Sequence, residues 1–291
     1  MNPKDTLFHQ NKTLCLKGNL VSLERPLVMG ILNVTPDSFY DGGQYNSVDQ
    51  LVQRAGQMLS DGATFIDVGG YSTRPRASDI SEEEELARVI PAMQSLSHAF
   101  PDAYLSIDTF RSNVAKQAVA AGACLVNDIS GGSLDPHMFE TVSQLNVPYV
   151  LMHMRGTPQT MTKLTSYQNV VLEVLDDLQK KVFHLRQLGQ KDILLDVGFG
   201  FAKTREQNYE MLENLNYFEI LNLPLLVGVS RKSMVYKTLG ITAAEALNGT
   251  TVLHTLALTK GASVLRVHDV KEAVEAVTLY GMMTHGRLQQ K

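Results

Sequence analysis

The strongest constraint on the fold is a repeated order of short apolar runs, each followed by glycine and polar residues and then by a helical pattern. The runs are rich in valine, isoleucine and leucine, as expected for parallel strands that are buried on both faces. Eight such units predict a (β/α)8 barrel, in which the carboxyl ends of all strands meet at one mouth. The predicted strands are Val28–Asn33, Phe65–Gly69, Tyr104–Asp108, Leu125–Asp128, Tyr149–His153, Ile193–Leu195, Leu225–Val229 and Ser263–His268.

The chain is predicted to form one domain, residues 1–291, with the barrel at about 28–285. An open doubly wound sheet is the alternative, but it usually has fewer strands, and its G-x-G-x-x-G fingerprint is missing after the first strand. Before the barrel, Leu14–Leu23 reads as two short strands around Gly18-Asn19, which predicts a β-hairpin that plugs one barrel end. Ser81 followed by Glu84 predicts a capped helix start, and this helix runs to about His98.

Composition and charge exclude several classes of protein. The chain is 44% hydrophobic and 19% charged, which is typical of a globular protein with a large core. A net charge of -4 gives no electrostatic case for binding nucleic acid or an anionic membrane. The two cysteines, Cys15 and Cys124, lack a metal-type spacing and are expected to be reduced. With a polar N-terminus and no run of about 18 apolar residues, a cytoplasmic protein is expected.

Polar residues cluster at the predicted strand ends. In a barrel they would meet in one pocket, where unpaired charges are costly unless something binds there. Each one alone is as often a helix cap or a turn residue, so only the joint occurrence favours a binding site. The set is Asn33, Asp67, Asp108, Asn127, Asp128, Met152, His153, Asp196, Lys232, Arg266 and His268.

The strand-end residues fall into two chemical groups. One group, Asp108, Asn127, Asp196 and Lys232, could recognise the donor and acceptor edge of a flat heterocycle. The other group, Asn33, Arg266 and His268, could hold an anion such as a phosphate, with a metal ion on Asn33. A surface ion pair for Arg266 and a helix-cap neighbour for His268 are the alternatives.

Two long loops and one helix start flank the same pocket. Residues 35–43 and 72–77 contain glycine and proline and are candidate lids. Ser230-Arg231-Lys232-Ser233 lacks the spacing of a phosphate loop, so that interpretation is rejected. Ser233 instead stands at a helix start, where backbone N–H groups could present an anion site.

A series of motifs, in order at the strand ends, resembles the dihydropteroate synthase family from about Leu14 to the C-terminal helix. The resemblance implies a (β/α)8 barrel that joins 4-aminobenzoate to 6-hydroxymethyl-7,8-dihydropterin diphosphate, with Mg²⁺ and release of diphosphate. The motifs are Asn33-Val34-Thr35-Pro36-Asp37-Ser38-Phe39, Ser72-Thr73-Arg74-Pro75, Ser106-Ile107-Asp108-Thr109, Asn127-Asp128-Ile129-Ser130-Gly131-Gly132, Leu151-Met152-His153-Met154, Gly198-Phe199-Gly200-Phe201-Ala202-Lys203, Ser230-Arg231-Lys232-Ser233 and Leu265-Arg266-Val267-His268.

The resemblance also implies a role for individual residues. The pterin would be bound by Asp108, Asn127, Asp196 and Lys232, and its ring lined by Ile129, Met152, Leu226 and Gly228. The diphosphate would be held by Asn33, Thr73, Arg74, Arg266 and His268, with Mg²⁺ on Asn33. The 4-aminobenzoate site, where sulfonamides bind in the family, would comprise Phe39, Pro75, Phe201 and Ser233. Asp41, Lys232 and Arg74 would be catalytic, and Asp41 would stabilise a cation left on the pterin methylene.

Three positions depart from the family pattern. Tyr71 and Arg76 stand where glutamate and glycine are expected around Ser-Thr-Arg-Pro, and Val197 replaces a proline. A pterin-carrying barrel, like the folate-binding module of corrinoid methyltransferases, is the alternative from a binding class. An inactive paralogue is a third possibility. The Ser-Thr-Arg-Pro and Ser-Arg-Lys-Ser motifs argue against the carrier, because a carrier does not use diphosphate or aminobenzoate. The resemblance also implies a homodimer, for which helices near the C-terminal half of the barrel are the suggested interface.

Overall fold

Eight parallel strands close into a barrel in the computed structural model, which describes residues 13–34, 44–71 and 79–285. Neighbouring strands follow chain order, and the last strand pairs with the first, so the predicted (β/α)8 architecture is confirmed. The barrel strands are β3 (Leu27–Asn33), β4 (Phe65–Gly69), β5 (Tyr104–Asp108), β6 (Leu125–Asp128), β7 (Tyr149–Met152), β8 (Ile193–Asp196), β9 (Leu225–Val227) and β10 (Ala262–Val267).

Helices cover the outside of this barrel. The predicted start at Ser81 is confirmed, because its hydroxyl accepts a hydrogen bond from the Glu84 backbone N–H at 3.1 Å. The helix that begins at Val170 is capped by Asn169, whose side chain accepts a hydrogen bond from the Leu172 N–H at 2.9 Å. The helices are α1 (Gln44–Ser60), α2 (Glu82–Ala99), α3 (Ser112–Ala120), α4 (Met138–Leu145), α5 (Val170–Gln187), α6 (Arg205–Glu213), α7 (Ser233–Leu239), α8 (Leu247–Thr259) and α9 (Val270–His285).

The predicted hairpin precedes the barrel and plugs it. Strands β1 (Thr13–Leu16) and β2 (Asn19–Ser22) pair antiparallel around Lys17 and Gly18, one residue before the predicted turn. Both turn residues have positive φ, 49° and 79°, the backbone that two-residue hairpin turns of type I′ require. The hairpin buries Leu14 and Leu16 against residues at the strand starts, so it seals the amino-terminal end of the barrel.

The barrel has two apolar layers because side chains alternate along each strand. Outward-facing residues pack against the helices in the larger core. Inward-facing residues near the strand starts form a second cluster with the hairpin leucines; they are Met29, Phe65, Leu125, Val150, Leu194, Leu226 and Val264. Among the described residues, the interior is therefore filled with apolar side chains at its amino-terminal end, which leaves the carboxyl-terminal mouth as the end at which polar side chains face inward. Across the described part of the chain, every helix is too short or too polar to cross a membrane.

Candidate active site

The polar mouth follows from the same alternation. On four strands the inward-facing residue near the strand start is apolar: Phe65, Leu125, Leu194 and Val264. Two residues further along the same strands, the next inward-facing residue is polar: Asp67, Asn127, Asp196 and Arg266. Since the strands are parallel, these side chains lie at the same end of the barrel. Asp128 follows Asn127 by one residue and therefore faces outward, where it accepts hydrogen bonds from Tyr149 and two backbone N–H groups.

A buried charge network crosses the mouth. The Arg266 guanidinium donates through Nε to Asp67 Oδ2 at 2.6 Å and through Nη2 to Asp108 Oδ2 at 2.5 Å. Asn127 Nδ2 donates to the same Asp67 oxygen at 2.9 Å. Asp67 is completely buried, so this is not the surface ion pair that was the alternative for Arg266. Asp67 carried no predicted role, and the structure shows that it holds Arg266 and Asn127 in place.

A second group of contacts surrounds the strand-end carboxylate of Asp196. Its Oδ1 accepts from the Gly198 N–H at 2.7 Å, and the backbone turns at Gly198, whose φ is 73°. Lys232 Nζ donates to the Phe199 carbonyl at 2.5 Å and lies 4.9 Å from the centroid of the Phe201 ring. The segment between Asp196 and Lys203 therefore contacts Lys232 through both a carbonyl and an aromatic face.

The electrostatics of the mouth suit a polar ligand. Burial raises the pKa of Asp108 to about 7, against the attraction of Arg266, and the Asp67 charge adds to the rise. Burial also raises the pKa of Asp196, which Lys232 opposes, and lowers the pKa of Lys232 to about 8. Buried groups whose pKa values move toward neutrality are typical of a site that is completed by its ligand.

The apolar residues predicted to line the pterin divide between two clusters. Ile129, Met152 and Phe201 share one buried cluster beside the mouth. Leu226 belongs instead to the interior cluster that the hairpin closes, level with Asp196 in the strand register. Gly228 lies next to the Lys232 ammonium group, because a Cβ built on this glycine would be 3.7 Å from Lys232 Nζ. Leu226 and Gly228 therefore lie at the bottom of the mouth, and the cluster of Ile129, Met152 and Phe201 forms its apolar wall.

Two neighbouring loops are joined by paired contacts. Ser230 Oγ lies 3.0 Å from His268 Nδ1 and accepts from the His268 backbone N–H at 3.1 Å. The next residues also pair, because Arg231 donates to both oxygens of Asp269 at 2.8 Å. These contacts hold the segment containing Lys232 against the segment containing His268. The Ser-Arg-Lys-Ser motif pointed to this segment, but nothing in the sequence identified its partner on the next strand.

Asn33 lies at a strand end and Ser233 at a helix start. Asn33 ends β3, and its Oδ1 lies near Asp108, since both approach the same face of Gly69. Ser233 is the exposed first residue of α7, directly after Lys232. Phe39, Asp41, Thr73, Arg74 and Pro75 lie outside the described residues, as does Arg76.

Two of the departures from the family pattern are accounted for by their contacts. Tyr71 Oη donates to Asp79 Oδ1 at 3.0 Å and accepts from Gln159 Nε2 at 2.8 Å, so the two residues that flank segment 72–78 are joined to each other and to Gln159. Val197 is fully buried in the outer core, where an apolar side chain fits.

A separate surface cavity is not the candidate site. It has a volume of about 520 Å³ and lies at the other end of the barrel, between α1, α2 and the start of β5. Asp102 is the one ionisable carboxylate among its lining residues, and the strand-end groups described above are absent from it.

The comparisons with known proteins agree with this geometry. A family profile described as pterin binding enzyme matches residues 29–268. Dihydropteroate synthase of Escherichia coli is 44% identical over 266 residues, which cover 91% of this chain and 94% of the relative. The chain belongs to the dihydropteroate synthase family. The prediction from the strand-end motifs is therefore confirmed, and with it the function in folate biosynthesis.

Solved structures of dihydropteroate synthases match the fold. The Yersinia pestis enzyme with a sulfonamide drug complex has a TM-score of 0.88 and 42% identity, covering 94% of this chain and 99% of that one. The Xanthomonas albilineans enzyme with 4-aminobenzoic acid has a TM-score of 0.86 and 39% identity, covering 94% and 98%.

Proposed function

We propose that this chain joins 4-aminobenzoate to 6-hydroxymethyl-7,8-dihydropterin diphosphate, with Mg²⁺, at the carboxyl-terminal mouth of the barrel. The aromatic amine would form a bond to the pterin methylene carbon as the carbon–oxygen bond to diphosphate breaks, and the amine would lose a proton. The observation that carries the proposal is the placement of Asp108, Asn127, Asp196 and Lys232 beside Arg266 and His268 in one mouth.

The pterin would be recognised by its polar edge. A dihydropterin presents amino and ring N–H donors next to acceptors, and the mouth offers carboxylates, an amide and an ammonium group. Asp196 would accept from the N–H edge, because its buried carboxylate gains a charge-assisted hydrogen bond there. Ile129 and Met152 would pack against the ring from the apolar wall.

The diphosphate would lie between β3 and β10. Arg266 Nη1 makes no hydrogen bond to the described residues, so one guanidinium nitrogen remains for a phosphate oxygen. Asn33 supplies a neutral amide oxygen near Asp108, which fits Mg²⁺, a hard ion that takes few protein ligands and completes its shell with phosphate and water. When bound, Mg²⁺ would neutralise charge that develops on the leaving diphosphate. Thr73 and Arg74 are proposed to contact the same group.

The 4-aminobenzoate would bind at the outer edge of the mouth, between Phe201 and Ser233. Phe201 presents its ring beside Lys232, and Ser233 follows Lys232 on the chain. Phe39 and Pro75 are proposed to complete the site, and Asp41 to stabilise cationic character on the methylene. Sulfonamides would compete for this position, as expected from the drug complex of the Yersinia relative.

The test is direct. Purified protein is supplied with the pterin diphosphate, 4-aminobenzoate and Mg²⁺, and dihydropteroate is followed by chromatography. Product formation that is lost with excess EDTA and restored by Mg²⁺ supports the proposal. Tight pterin binding without product would instead favour the pterin-carrying barrel.

Phe201→Leu is expected to raise KM for 4-aminobenzoate by about 3- to 10-fold, since an aromatic contact contributes about 0.5–1.5 kcal/mol beyond burial. The Kd of the pterin diphosphate should change less, because the polar groups that recognise the pterin edge are unchanged. Phe183→Leu on the exposed face of α5 is the matched control. Loss of pterin binding in folded Phe201→Leu would contradict this division of the mouth.

A homodimer in the cytoplasm is also proposed. Helices α8 and α9 lie side by side and expose apolar residues that a second copy would cover: Val252, Leu256, Leu279, Met282 and Met283. Leu256→Asp is expected to shift the molar mass measured by light scattering from dimer to monomer, because a charge would be buried at the interface. Leu20→Asp on the hairpin is the control, and a monomeric parent protein would refute the proposal.

A further inference from the structure

A buried lysine that carries no role in the proposed reaction lies directly behind the mouth. Lys203 is 8% exposed, and its Nζ lies 3.1 Å from each of three acceptors: the Gly198 carbonyl, the Phe201 carbonyl and His153 Nδ1. Burial lowers the pKa of Lys203 to about 7, and in its ammonium form the side chain uses all three of its donors in these contacts. No carboxylate in the described part of the chain forms a salt bridge with it. Burying a cation in this way is costly, so its contacts call for a function.

His153 provides an acceptor without adding a second charge. Burial, followed by the nearby Lys203 charge, lowers the pKa of His153 to about 2, so the imidazole is neutral at physiological pH. To accept from Lys203, Nδ1 must carry no hydrogen, which places the ring N–H on Nε2. The His153 backbone N–H donates to the Asp196 carbonyl at 3.0 Å. His153 is thereby held at the end of β8, and the segment that Lys203 contacts begins at the same strand end.

The loop that Lys203 contacts is tightly turned. We call residues Val197–Ala202 the glycine loop. Gly198, Gly200 and Ala202 have φ values of 73°, 80° and 48°, in the left-handed region, and this backbone directs the carbonyls of Gly198 and Phe201 toward the lysine. A Cβ on Gly198 would lie 2.0 Å from the His153 carbonyl oxygen, so the loop packs closely against the residue that follows β7. Lys203 thus binds the glycine loop at Gly198 and at Phe201. The residues from Gly198 to Phe201 also contact Lys232, through the Phe199 carbonyl and the Phe201 ring.

We propose that Lys203 is a positioning residue, whose buried amine holds the glycine loop so that Phe201 and the Phe199 carbonyl face Lys232. This inference rests on the proposed function, since it concerns the geometry in which 4-aminobenzoate meets the bound pterin. Lys203 touches neither substrate. Without it, the loop carbonyls lose their donor and Phe201 is free to leave the edge of the mouth.

The experiment compares Lys203→Met with the parent protein and with Lys180→Met, a control on the exposed surface of α5. Lys203→Met is expected to raise KM for 4-aminobenzoate by about tenfold or more, since a hydrogen bond to a charged group stabilises by about 1.5–3 kcal/mol. The Kd of the pterin diphosphate, measured by calorimetry, should change by less than about threefold, because Asp108, Asn127 and Asp196 remain in place. Lys203→Gln, which keeps an N–H donor on a shorter side chain, should lie between the two.

The outcomes separate positioning from general stability. If Lys203 only stabilises the fold, the active fraction falls, and kcat falls while both KM values stay unchanged. That result, or an equal loss of pterin and aminobenzoate binding, would overturn the inference. If Lys203→Met does not fold by circular dichroism, the KM for 4-aminobenzoate in Lys203→Gln decides. Failure of the proposed function is distinct, because the parent protein would then form no dihydropteroate.

Discussion

Arg266→Met is expected to lower the free energy of unfolding by about 3–5 kcal/mol at neutral pH, the usual cost of leaving buried charge without its partner. Arg266 lies between Asp67, which is fully buried, and Asp108, which is nearly so. Without the guanidinium, the two carboxylates repel each other in a site of low polarity. Asn127 would remain as a hydrogen-bond donor to Asp67 but would supply no charge.

The loss should depend on pH. Burial already raises the pKa of Asp108 to about 7, and removal of Arg266 would raise it further. A carboxyl group whose folded pKa exceeds its unfolded value stabilises the fold at low pH, and this contribution is lost as pH rises through the folded pKa. The difference in stability between Arg266→Met and the parent protein should therefore be smaller at about pH 5 than at about pH 8.

Urea unfolding at the two pH values checks this prediction. Arg205→Met removes an arginine from an exposed pair with Glu206 and should change stability by less than about 1 kcal/mol. If Arg266→Met is destabilised equally at both pH values, protonation of Asp67 and Asp108 does not relieve the loss of the guanidinium, and the prediction is wrong.

Lys232→Met should weaken binding of the pterin diphosphate by about one to two orders of magnitude, because a hydrogen bond to a charged group contributes about 1.5–3 kcal/mol. The lysine also opposes the rise in the pKa of Asp196, so its removal favours the protonated acid. A protonated Asp196 is a poorer acceptor for the pterin N–H edge. The expected loss of pterin affinity thus combines the missing Lys232 hydrogen bond with the weaker acceptor at Asp196.

Titration calorimetry measures this affinity, and the shared control is Lys180→Met. Since burial lowers the pKa of Lys232 to about 8, pterin affinity of the parent protein should fall as pH rises above that value. The same fall should be absent from Lys232→Met. Parent-like pterin affinity in the folded variant would remove Lys232 from the pterin site.

The sequence allowed the barrel and the positions of its polar strand ends to be predicted because both depend on local regularities. Alternation within each strand determines which residues face inward, and parallel order brings the strand ends together. The hairpin was predictable for the same reason, although its turn lies one residue earlier, at Lys17 and Gly18. The helix start at Ser81 needed only a cap within three residues.

The partners of the charged residues could not be predicted in this way. Arg266 was a candidate for an anion site, but its ion pair with Asp67 joins residues 199 positions apart. Asp67 and Asp128 both follow apolar runs, yet one holds the charge network and the other faces outward to Tyr149. Lys203 was part of a recognised motif, and its contact with His153 spans 50 positions.

The amino-acid sequence alone therefore determined the family, the eight-stranded architecture and most of the polar groups at the mouth, Asp128 being the exception that faces outward. These follow from periodicity and from motifs, which are local in the chain. Only the tertiary structure decided which two carboxylates pair with Arg266, which carbonyls accept from the Lys203 amine and which ring lies against Lys232. The physical reason is that closing the barrel buries charges from distant strands together, and each must find a partner inside to offset the loss of water.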